Sequence, residues 1–167
     1  MLARKISLAK WHSKEYFQPD EIGADAVTGC LRTSDNSLSW WRCTAQGTDV
    51  AEVALALVCN MQIFEKIDVF ALPDTELEPL GIGIHATEGN TPVQDLRSRH
   101  VDLPHIDLER LSRLAKARAP RIRSGISVFT FTKRDLKTLV RDAVSTNRVL
   151  TQDLHKKLRR QLEEEAR

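Results

Sequence analysis

Long apolar runs are missing from this chain of 167 residues. None approaches the ~20 continuous apolar residues that a membrane-crossing helix requires, and the opening stretch MLARKISLAKWHSKEYF has no apolar block of the kind that marks a secretory signal. The expectation is a cytoplasmic protein with no membrane partner. Cysteine is scarce and irregularly placed. Cys30, Cys43 and Cys59 show no C-x-x-C spacing, so neither a zinc site nor a redox dithiol is indicated, and reduced thiols in packing positions are expected. Phosphate loops of the G-x-x-x-x-G-K-[ST] type, serine nucleophile elbows and H-E-x-x-H helices are also missing. Gly81 and Gly83 have the spacing that begins a dinucleotide loop, but the third glycine and the following helix do not come. No motif calls for a cofactor or a metal.

What the chain does have is segregated charge. Its formal net charge of +2 hides 9 basic and 16 acidic residues in positions 1–108, against 16 basic and 7 acidic in 109–167. Such a split either matches one part of the molecule to the other or keeps a basic surface for an anionic partner.

Hydrophobic periodicity predicts an α+β fold. Residues 1–20 fit an edge strand or a short helix around Ile6, Leu8 and Trp11, stopped by Pro19. Two β-prone runs, Val27 to Thr33 and Leu38 to Cys43, flank the turn-forming Ser34, Asp35, Asn36 and Ser37 and read as a hairpin. The favoured register pairs Leu31 with Trp40 and sets Cys30 opposite Trp41. Adjacent tryptophans in a strand point to opposite faces, so either Trp40 or Trp41 must be covered by a terminal segment, a helix or another chain. The last of these would make the protein an oligomer.

The stretch from Thr48 to Ile67 reads as the central helix, capped by Thr48 or Asp49, with Val50, Val53, Ala54, Leu57, Met61 and Phe64 in one stripe. Strands are expected at 67–72 and 81–86, giving a small mixed or antiparallel sheet of about four strands. Thr91 and Pro92 open a short helix to about Arg99. A longer one carries Leu108, Leu111, Leu114 and Ala115 and ends at Pro120, with a linker at 121–125. A short strand at 127–131 precedes helices capped by Thr132 and Thr151. The expected organisation is an acidic α+β core domain, 1–120, and a basic helical C-terminal subdomain or appendage, 121–167.

One constellation suggests chemistry. His100, Asp102, His105 and Asp107 make a doubled His-x-Asp, and imidazole with carboxylate can share a proton or hold a metal. Pro104 interrupts regular geometry, however, and Asp107 is well placed as a helix cap. His100 and Asp102 are therefore speculative catalytic candidates, which would need Arg97, Arg99 or His85 beside them.

The absence of a catalytic signature favours a non-enzymatic interaction or regulatory protein that binds a protein partner, in the manner of a small bacterial antitoxin, immunity factor or accessory subunit. Candidate contacts are Arg32, Trp41 and Arg42, because tryptophan and arginine carry large contact energies, and the Leu154, Leu158 and Leu162 stripe of the last helix. The alternative is nucleic-acid binding through Arg121, Arg123, Lys133, Arg134, Lys156, Lys157, Arg159 and Arg160. The connection from Ser145 to Leu150 is, however, longer than the roughly 3–4 residues of a helix-turn-helix turn. A small hydrolase or transferase using His100 and Asp102 is the third reading.

Overall fold

The computed structural model describes residues 1–12, 18, 21–31, 33–44 and 48–164. Arg32, Pro19 and the side chain of Thr48, on which expectations above rest, lie outside the described residues. Six strands form a single sheet: β1 (Leu2–Ile6), β2 (Leu38–Arg42), β3 (Ile67–Leu72), β4 (His85–Ala86), β5 (His100–Leu103) and β6 (Val128–Phe131). Their order is β4-β5-β2-β1-β3-β6, and each neighbouring pair is antiparallel. The helices are α1 (Ala24–Cys30), α2 (Thr48–Val58), α3 (Leu108–Arg123), α4 (Lys133–Ser145) and α5 (Lys156–Glu163). The architecture is α+β.

Period-two alternation divides the sheet's side chains between two core layers. On one face Ala3, Trp41, Ile67, Val69 and Ala71 pack in a cluster with Val53 and Leu55 of α2, Leu136 and Val140 of α4 and Leu158 of α5. On the other, Leu2, Leu38, Trp40, Phe70, Leu72, Val101 and Leu103 pack with Ala26 and Cys30 of α1 and Leu114, Ala119 and Ile122 of α3. The problem of the two adjacent tryptophans is resolved within the chain, since Trp40 and Trp41 are both buried, one under each helical layer. β3, continuously apolar except for Asp68, runs between the two layers and is buried along its whole length, as a strand covered on both faces should be.

Several elements differ from the sequence reading. The first arm of the expected hairpin is a helix, α1, because Ala26 and Cys30 lie four residues apart and bury one helical face. The turn survives as a tight one: Asp35 and Asn36 both have positive φ, at 50° and 56°, and Ser34 and Ser37 exchange backbone hydrogen bonds of 3.0 and 2.8 Å. β2 instead pairs with β1 and β5. α2 stops at Val58 rather than near Ile67. Only His85 and Ala86 of the expected 81–86 strand are extended into the sheet, because Gly81, at φ 66°, is taken up in capping the turn before it.

α3 runs through Pro120 to Arg123, replacing the expected linker. Proline costs the helix one backbone hydrogen bond, but Arg118, Ala119 and Ile122 around it are buried and hold the last turn in place. Thr151 opens only a short 3-10 turn, and His155 is the residue that caps α5. β6 joins the sheet beside β3, and α4 and α5 share the core of α2.

Candidate functional site

Of the doubled His-x-Asp, His100 and Asp102 lie on β5, on the same sheet face as Trp41, while His105 and Asp107 lie beyond its end. The His100 ring meets Trp41 edge-on, with centroids 5.1 Å apart, and its Nδ1 is 2.7 Å from Thr87 Oγ1. Burial pushes its pKa below the usual histidine value, with Asp102 acting in the opposite direction and Arg4 in the same one. Gly89 closes over this pair so tightly that a Cβ there would stand 2.6 Å from the Trp41 ring. Asp102 accepts a hydrogen bond from Ser39 Oγ at 3.0 Å and faces His85 across the β4-β5 ladder. Arg97 is engaged instead with the Thr91 carbonyl and Arg99 with Asp49. Asp107 caps α3, accepting from the Arg110 amide at 2.7 Å. Among the described residues no group of three metal-ligating side chains is brought together.

The expected contact residues separate. Trp41 is buried and Arg42 exposed. Leu154 and Leu158 are buried in the chain's own core, with Leu162 packed against it, so that stripe faces inward. The basic residues separate too. Arg121 reaches Glu76 at 2.5 Å and Arg118 joins the same carboxylate. Arg123 donates to the Trp11 carbonyl at 2.8 Å and also to that of Glu21. Arg148 spans Glu52 and Asp95 at 2.5 and 2.6 Å. Arg160 pairs with Glu164, while Lys133, Arg134, Lys156 and Lys157 are exposed and Arg159 is half-buried. Part of the basic third therefore clamps the acidic part from within.

Two concavities stand out. β1 and β2 pair only at Leu2 with Arg42 and Ala3 with Trp41, then diverge. At the divergence lies a polar cleft of about 500 Å³ lined by Arg4, Ser34, Ser37, Ser39 and Asp102. Arg4 bridges the gap: its Nε donates to the Cys30 carbonyl at 2.8 Å and its Nη1 to that of Ser39. It thereby closes the last turn of α1 and occupies a carbonyl that the diverging strands leave without a ladder partner.

The second concavity is a groove of about 600 Å³ between α1 and α3, floored by Ile22, Val27, Leu111 and Ala115. Glu21 and Lys116 also line it. Leu108, in the first turn of α3, borders it with 84% of its surface exposed. Sequence reasoning placed Leu108 in the same stripe as Leu114 and Ala115, which are buried; Leu108 lies nearly two turns N-terminal to them, where α3 has run past its core. Ile22 and Glu21 carried no signal, because only the approach of α1 to α3 brings them to the groove.

Comparisons with protein-family models, curated proteins and solved structures find no match to this chain. Fold and site define it as an α+β protein with a six-stranded antiparallel sheet between two helical layers, carrying an apolar inter-helix groove on one of them.

Proposed function

We propose that this is a regulatory protein that binds a protein partner by taking an amphipathic helix of that partner into the groove between α1 and α3. The observation that carries the reading is Leu108, a large apolar side chain 84% exposed beside an apolar depression. Covering a leucine is worth about 1.5–3 kcal/mol, and apolar anchors around a groove are how helices are recognised, through residues spaced i, i+3 or i+4, and i+7. Glu21 and Lys116 in the lining suit a helix that carries both a basic and an acidic residue. That mixed charge disfavours nucleic acid at this groove. His100 and Asp102 are each held by a neighbouring hydroxyl, and that favours a positional role over acid–base chemistry. An antitoxin, an immunity factor or an accessory subunit would each work in this way.

The test is affinity purification of the tagged protein at low salt, with and without nuclease, alongside Leu108→Glu. One stoichiometric protein that survives nuclease, is lost from Leu108→Glu and docks an amphipathic helix supports the reading. A partner retained equally by the variant, or material that disappears with nuclease, overturns it.

A further inference from the structure

Arg42 and Arg99 line one cavity beyond the point where β2 and β5 stop pairing. Trp41 and His100 are the last pair of that ladder; beyond it Arg42 ends β2, and Arg99 ends the 3-10 turn that leads into β5. Like charges lining one cavity repel, and a single carboxylate, Asp49, accompanies them. Asp49 lies 3.9 Å from Arg99, and its carboxylate already accepts from the Thr44 amide at 3.1 Å. Arg42 is exposed and has no ion-pair partner among the described residues. With Met1, Cys43, Thr44 and Asp49, the two arginines line an open cavity of about 280 Å³.

We propose that this cavity binds the phosphate group of a small phosphorylated compound, held between the guanidinium forks of Arg42 and Arg99. Arginine presents planar, paired donors that match oxyanions two bonds at a time. Two forks lining one cavity suit a tetrahedral group with three free oxygens better than a planar carboxylate, whose two oxygens one fork satisfies. The cavity lies below the ~300–1,000 Å³ typical of sites for larger ligands, so the rest of the compound is small. None of its lining residues belongs to the α1/α3 groove, and the proposal stands independently of partner binding.

Isothermal titration of the full chain with inorganic phosphate and with phenyl phosphate, at constant ionic strength against chloride and benzoate, tests it. Saturable binding of either phosphate, absent with benzoate and weakened about tenfold or more in both Arg42→Gln and Arg99→Gln, supports the site. Tighter binding of phenyl phosphate identifies a monoester as the ligand, and binding of inorganic phosphate alone identifies the free ion. Arg42 is exposed and Arg99 half-buried, and melting curves matching the parent's verify folding. No saturable binding, equal binding of benzoate, or affinity kept within about twofold in the two variants overturns the proposal.

Discussion

Glu76 receives two guanidinium groups, Arg118 and Arg121, and they set the direction in which its pKa moves. Burial pushes its carboxyl pKa up, but the hydrogen bonds and charges of the two arginines outweigh this and leave it below the ordinary 4.5. A carboxylate with a lowered folded pKa contributes stability that is complete above the unfolded value and lost as pH falls through the folded one. His100 is also lowered from its ordinary 6.5, mainly by burial, so its neutral ring contributes fully above that pH and loses its contribution below it. Acidification therefore acts in two windows, first on His100 and then on Glu76. Glu76→Gln removes only the second: urea unfolding followed from pH 7 to pH 3 should show a shallower loss below about pH 4.5, with the His100 window unchanged. At pH 7 the variant should be less stable by about 1–2 kcal/mol, because Arg118 is left buried without its counter-charge while the carboxylate it lost was partly solvated. An acid limb identical to the parent's would show that the clasp contributes nothing.

At the scale of elements, legibility followed how unambiguous each local signal was. Ile67 to Leu72 could only be a strand, since six residues bounded by Pro73 are too short for a buried helix. The start of α4 was equally clear: Thr132 and Asp135 form a reciprocal capping box, with the Asp135 carboxylate accepting from the Thr132 amide at 2.8 Å and the Thr132 hydroxyl from the Asp135 amide at 3.2 Å. Thr132→Ala should cost about 1 kcal/mol in thermal or urea unfolding, and a cost near zero would mean that packing of Leu136 and Val140 alone fixes this helix. α1 was not legible. Cys30 and Leu31 fit a strand by composition, and only the tertiary burial of Ala26 and Cys30 against the sheet chooses the helix. The groove was hidden for the same reason, because the stripe through Leu108 and Leu114 looks continuous until the reach of the core decides which members it covers. The Leu154 and Leu158 stripe was detected correctly as apolar, but sequence carries no sign of whether such a stripe meets its own core or another chain.

The whole molecule joins its oppositely charged parts through both core and charge. Arg148, between α4 and α5, holds Glu52 of α2 and Asp95 of the turn before β5, and β6 extends the sheet from β3. Leu158 of α5, fully buried, lies in the same cluster as Ala3 of β1, Trp41 of β2 and Val53 of α2. Contacts of this kind lead to the expectation that the last helix unfolds with the rest as one cooperative unit. Leu158→Ala should then lower the stability of the entire chain by about 2–5 kcal/mol, the usual cost of emptying a leucine site in a core. Its two transitions, near-ultraviolet dichroism reporting the buried tryptophans and far-ultraviolet dichroism reporting the helices, should stay coincident. If the C-terminal part instead unfolds first in this variant, with the tryptophan signal keeping the parent's midpoint, then residues 121–167 form a separate unit that merely rests on the sheet.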